Sequence, residues 1–359
     1  KRQVFNTSAA NLSFAGDLLA TSIVQNVTVE TSGTASFGGV VGNGSPQPFT
    51  YFSAFTVGSG KAQLAGNVAA LSQTYNAELA LLNDVTFAGL SGAFNGGVDA
   101  QNNSVQLVFT SVGVDGANWT NLQSLNFEGG TLQAQNTIQT TGVQEYNGSV
   151  VLAGDTAFVA GAEGVSFLGN VEGNAAGGQN LSVTTPGAAN FTAGAGAGVS
   201  LRSINLATVG AGELNGSFVT SSAQTYGNVG LTDDVTLQAG LLGPITLQGT
   251  VDGNAALTIN TAAASTLQGP VGSVTPLRSV TSDAVGSLTL GGNVTTSGNQ
   301  TYGEALNLSD SAVLTGDAGS LPLGVTGNGN DLFLNFTSGV ALRNLTGLDD
   351  LRVDGEASI

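Results

Sequence analysis

Four of the five tyrosines of this chain stand in one motif: Gln73-Thr74-Tyr75, Gln144-Glu145-Tyr146, Gln224-Thr225-Tyr226 and Gln300-Thr301-Tyr302. A second landmark reads Val27-Thr28-Val29, Val105-Gln106-Leu107, Leu181-Ser182-Val183, Leu257-Thr258-Ile259 and Leu332-Phe333-Leu334. A third reads Leu122-Gln123-Ser124, Leu201-Arg202-Ser203, Leu277-Arg278-Ser279 and Leu351-Arg352-Val353. The three keep one order and a period of about 76 residues. Repetition on this scale confines a chain to architectures in which similar units stack and bury a continuous core. The frame gives a partial repeat at 1–60, then repeats at approximately 61–130, 131–212, 213–287 and 288–359, as one continuous solenoid over 1–359. Neither end shows an evident polar cap, which predicts a piece of a longer polypeptide or a subunit that stacks on copies of itself.

Within each repeat the local pattern is strand-like. Apolar residues alternate with Thr, Ser or Gln in Val165-Ser166-Phe167, Ile245-Thr246-Leu247-Gln248 and Leu288-Thr289-Leu290, between turns rich in Gly, Asn and Asp. The 54 glycines are too many for stable helices, since an interior Gly costs ~1 kcal/mol against Ala. Two all-β architectures fit. Tandem β-sandwich modules would use Asn-Gly hairpin turns, for which Asn43-Gly44, Asn147-Gly148 and Asn215-Gly216 are candidates. A parallel β-helix divides each repeat into about four coils of ~19 residues, with Leu, Val, Ile and Phe at single inward positions that stack from coil to coil. The β-helix is favoured, and strands ~4.8 Å apart would make it a rod of roughly 90 Å.

Only 9% of residues are charged, against ~25% in ordinary soluble domains. With 41% apolar residues the chain folds rather than staying disordered. Outward Thr, Ser and Asn can form hydrogen-bonded ladders without stacking like charges. A net charge of -17 makes nucleic acid and anionic bilayers poor partners. No apolar run approaches the ~18 residues of a membrane-spanning helix. The opening residues Lys1-Arg2-Gln3-Val4-Phe5 have no signal-peptide core behind them, so an export signal is expected upstream or removed. The chain has no Cys and no His, hence no disulfide, no thiol nucleophile and no imidazole for acid–base work.

The stretches TTSGNQTYGEALNLSDSAVLTG (295–316) and GPITLQGTVDGNAALTINT (243–261) resemble repeats of filamentous-haemagglutinin-like exoproteins of the two-partner secretion type. The resemblance covers nearly the whole chain. It implies a right-handed parallel β-helix, export to the cell surface, and a role in adhesion or matrix. The secretion domain that this family carries at its extreme N-terminus is not recognisable here, so the resemblance names no export route.

Candidate chemistry is sparse. Asp233-Asp234 and Asp349-Asp350 are acidic pairs, but Asp233 and Asp234 fall in the same turn as Asp84, Asp155 and Asp310, where a side chain bonding its own backbone explains them. Asp99 and Asp252 follow glycine-rich turns singly, without a calcium-binding nonapeptide. Arg202, Arg278 and Arg352 recur near the repeat period and should share one face, too far apart to hold one small ligand. Tyr75, Tyr146, Tyr226 and Tyr302 read as packing residues at a corner, with the hydroxyl at the surface. Fifteen Asn-x-Ser/Thr sequons begin at Asn6, Asn11, Asn26, Asn43, Asn102, Asn118, Asn147, Asn180, Asn190, Asn215, Asn293, Asn299, Asn307, Asn335 and Asn344. Chance would give roughly six, so these asparagines are candidates for N-glycosylation. The expected function is a non-catalytic structural shaft of a secreted cell-surface adhesin or extracellular filament, without cofactor or metal. Its partners would be stacked copies, flanking repeats, and host or matrix glycans or proteins. A glycan- or receptor-binding passenger module is the alternative, and a polysaccharide-active enzyme a more distant one.

Overall fold

The computed structural model describes residues 2–8, 10–20, 25–42, 51–58, 60–114 and 117–358. The fold is all-β, with strands paired in parallel and stacked as a β-solenoid of about 17 turns. No helix occurs among the described residues. The β-helix read from the repeat is therefore the architecture. Sandwich modules would need antiparallel hairpins, whereas pairs such as those joining Val98–Val114 to Trp119–Thr140 and Ser203–Thr208 to Gln224–Tyr226 run parallel. By contact the chain divides into two compact units, Lys1–Gly169 and Asn170–Ile359.

In the first unit the turn shortens along the chain. Arg2 pairs with Asn26 and Asn26 with Ala54, 24 and 28 residues on, whereas Phe52 pairs with Ala70 and Val85 with Val105, 18 and 20 residues on. The interior is aromatic. Phe5, Phe14, Phe37, Phe55, Tyr75, Phe94 and Trp119 touch in succession, with ring centroids 4.9–6.0 Å apart. Such pairs contribute about 0.5–1.5 kcal/mol each beyond the area they bury. The long strand Trp119–Thr140 bends at Asn121 and Asn136, which adopt left-handed φ values of 55° and 64°. Asn tolerates that conformation because its short side chain bonds locally.

In the second unit the inward columns are mostly aliphatic. Leu247, Leu267, Leu290 and Leu308 follow Tyr226 in register on one face, and Val251, Val271 and Val294 follow Val229 on another, all buried. Beside the leucines, Thr225, Thr246, Thr266 and Thr289 form a column continued by Asn307 and Thr326. β-Branched residues suit this half-buried pleated surface, and a neutral column avoids like-charge repulsion between turns.

The registers also measure the repeat. From Gln73, three turns pass through Gly92 and Val112 to Leu132, and the fourth ends at Val150. Gln144 lies twelve residues into that eighteen-residue turn. From Thr225, three turns pass through Thr246 and Thr266 to Thr289, and Thr301 lies twelve residues into the eighteen that lead to Asn307. One sequence repeat thus spans about three and two-thirds turns rather than four whole ones. Within each unit, the next copy of a landmark therefore lands on a different face.

Candidate functional site

Each Gln-x-Tyr motif closes a corner of the coil from inside. Tyr75, Tyr146, Tyr226 and Tyr302 are fully buried, and each hydroxyl donates to Oε1 of the Gln two residues earlier at 2.8–2.9 Å. In the last three copies the Gln Nε2 donates to the carbonyl of Ile138, Phe218 or Val294, before the corner, at 2.9–3.1 Å. In all four it donates to a carbonyl of the following turn, that of Ala88, Val159, Gln238 or Thr315, at 2.7–2.8 Å. Thr140, Thr220 and Thr296, four residues before Gln, accept from the same Nε2 at 3.2–3.3 Å and donate to the carbonyl two residues on. Ala69 takes that place in the first copy, where Gln73 donates to the Val68 carbonyl instead.

The surface hydroxyl expected of these tyrosines is thus corrected. A corner turns strand-end carbonyls into the core, where they need donors. The Gln amide supplies the donors, and the Tyr hydroxyl satisfies the Gln oxygen in turn. Burial pushes all four phenols well above their ordinary pKa. The sequence signal for the threonines was present in Thr-x-x-x-Gln-x-Tyr, three times at one spacing.

On the outside, Asn and Asp side chains cap backbone N–H groups of the next turn where the ladder breaks. Asn11, Asn118, Asn190 and Asn293 accept from Thr34, Thr137, Glu213 and Val313, and Asp84 and Asp234 accept from Ser104 and Ala256, at 2.7–3.1 Å. Asp252 accepts from Val274 and Thr275, and Asp99 from Gln101. The expectation that turn aspartates bond their own backbone holds for Asp233 and Asp310, which accept from the next residue's N–H. Asp84 and Asp234 differ by reaching across to the following turn. The Ala256 N–H, then Arg278, hold the Asp234 carboxyl below its ordinary range. Asp155, Asp349 and Asp350 are exposed.

Among the sequon asparagines, Asn6, Asn11, Asn26, Asn102, Asn118, Asn147, Asn293, Asn299, Asn335 and Asn344 are exposed. Asn180, Asn190, Asn215 and Asn307 are half-buried, and Asn43 lies outside the described residues. Where these asparagines cap, they use Oδ1 and not Nδ2, the atom to which a glycan attaches.

Arg202, Arg278 and Arg352 do not form the shared stripe expected of them. Leu201 pairs with Thr220 and Leu277 with Thr296, so Arg202 and Arg278 travel with successive corner motifs and inherit their change of face. Arg352 pairs in register with Phe333 and forms an ion pair with Asp354. A repeat without a whole number of turns cannot align them.

One corner carries a feature that the sequence reading missed. Two residues after each motif tyrosine stand Ala77, Gly148, Asn228 and, in the last copy, Glu304. Glu304 is only 1% exposed, and neither carboxylate oxygen has a partner in hydrogen-bond geometry. Burial pushes this carboxyl up to about 7; the Ser282 hydroxyl beside it offsets part of the rise and Asp283 adds to it. The folded chain therefore holds a proton here that an ordinary carboxyl, at 4.5, releases. Stability is full below the ordinary value and falls as pH rises through the folded one, by up to about 3 kcal/mol. Urea midpoints in metal-free buffer should drop between pH 5 and 8, and Glu304→Gln should flatten that drop. A profile unchanged by Glu304→Gln would count against this assignment.

Comparison with protein-family models, curated proteins and solved structures finds no match in any of the three.

Proposed function

We propose that this chain is the non-catalytic shaft of a secreted cell-surface adhesin or extracellular filament, of the filamentous-haemagglutinin-like kind that its repeats resemble. The observation that supports this most is where the polar side chains are engaged. Gln and Tyr fasten corners from within, Asn and Asp cap the next turn from outside, and threonine columns cover the flat faces. These are devices for holding turn to turn. A parallel ladder presents unpaired N–H and C=O groups at either end of a stack. The shaft's partners are accordingly further turns, from flanking repeats or from copies added head to tail, and such contacts build open filaments. A glycan-binding role would lack the motif tyrosines as an aromatic platform, because their rings are buried.

Incubation with acidic and neutral polysaccharides should release no product, and antibodies should label the outside of intact producing cells. Turnover that disappears when Asp233 or Asp234 is replaced by Asn would defeat the non-catalytic reading. Labelling only after lysis would defeat the surface placement.

A further inference from the structure

The corner at Glu304 breaks the pattern of the surrounding interior. Ser282 stands between Ile259 and Tyr302 in one inward column, and Ser265 precedes Leu288 and Leu306 in another. Ser265 and Ser282 are 0% and 3% exposed, and neither hydroxyl has a partner in hydrogen-bond geometry. Asp283 Oδ1 is buried in the same condition, although this carboxyl group also draws on the N–H groups of Val285 and Thr261. With the two oxygens of Glu304, three successive turns contribute five such atoms. A single buried polar group without a partner costs about 1–3 kcal/mol, so their occurrence together needs a common cause.

The backbone adds acceptors to the same place. Ala264, Ser287 and Ala305 are in register, which sets Gly286 between Ala263 and Glu304 in the stack. The point where a Gly286 Cβ would stand is 2.6 Å from the Ala263 carbonyl oxygen, and 3.1 Å from both the Ala262 carbonyl oxygen and Glu304 Oε2. Those three oxygens are therefore within about 6 Å of one another. A closing shift of roughly 1 Å would bring them to the ~2.4 Å distances of ligands around one ion. Ala284, Val285 and Gly286, which adjoin the corner, are exposed and give a short way in. Among the described residues no Lys or Arg forms an ion pair with Glu304 or Asp283; Arg278 pairs with Asp234 instead.

We propose that this corner binds one calcium ion, held by Glu304 and Asp283 with the hydroxyls of Ser282 and Ser265 and the carbonyls of Ala262 and Ala263. Every candidate ligand is an oxygen, which selects a hard cation. Two carboxylates match a divalent charge. A mixed set of carboxylate, hydroxyl and carbonyl groups suits the adaptable coordination of Ca2+ better than the strict, water-retaining octahedron of Mg2+. The bound ion removes the repulsion between the two carboxylates and clips three turns together.

The test uses the full chain, freed of metal with EDTA, at pH 8. CaCl2 is titrated in a calorimeter, and TbCl3 is added separately while the aromatic side chains are excited. One calcium per chain is expected, together with terbium emission sensitised through Tyr302, two residues from Glu304. Glu304→Gln keeps the size of the side chain, removes its charge, and should weaken binding about 100-fold or more. A proton competes for Glu304, so the affinity of the unaltered chain should fall roughly tenfold from pH 7 to pH 6. Absence of binding at millimolar calcium, equal binding by Glu304→Gln, or an affinity independent of pH would each refute the site.

Discussion

Gln224→Ala is expected to destabilise the chain by roughly 3–5 kcal/mol, combining the cavity left by the side chain with the loss of its buried hydrogen bonds. The side chain joins four groups: it donates to the Phe218 and Gln238 carbonyls and to Thr220 Oγ1, and accepts from the Tyr226 hydroxyl. Truncation leaves buried carbonyls and a phenol without partners in a site sealed from water. Tyr226→Phe should cost less, about 1–3 kcal/mol, because it orphans only the Gln224 oxygen. Urea denaturation of both variants measures the difference. A loss below about 1 kcal/mol for Gln224→Ala would mean that the corner does not depend on its buried amide.

Gly272→Ala should be comparably damaging for a different reason. Gly272 has φ of 68°, and its N–H donates to the Val251 carbonyl at 2.7 Å. An L-residue in that conformation costs about 1–2 kcal/mol. A Cβ there would also stand far inside van der Waals contact of the Thr295 carbonyl on the next turn, which adds roughly 1–3 kcal/mol of overpacking. Gly196 holds the same turn one repeat earlier, with φ of 73°. Gly230→Ala is the control, since the nearest atom to its Cβ would be 3.9 Å away and its φ is ordinary. Denaturation midpoints should fall sharply for Gly272→Ala and stay near the parent for Gly230→Ala. Equal losses would show that turn contact is not what requires the glycine.

The stacking of strands was legible because inward columns repeat their chemistry, as in Ile245-Thr246-Leu247 beneath Ser265-Thr266-Leu267. The number of turns per repeat was not legible. Turn length varies from 17 residues between Lys61 and Glu78 to 28 between Asn26 and Ala54, so a period alone cannot be divided into coils. The supposed arginine stripe failed on this point. The role of the buried glutamines depended on carbonyls that only the corner geometry exposes, although the spacing of Thr140, Thr220 and Thr296 from them was visible. Glu304 stood out as a charge where the other copies carry Ala77, Gly148 and Asn228. A glutamate beside a Tyr-Gly turn nonetheless reads as a solvated residue until its burial is known.

Electron cryo-microscopy of the native material tests the shaft most directly. Turns stacked in parallel at ~4.8 Å predict a thin, unbranched filament with that axial repeat. Compact globular particles, or a string of separate beads, would contradict a shaft built from continuous turns.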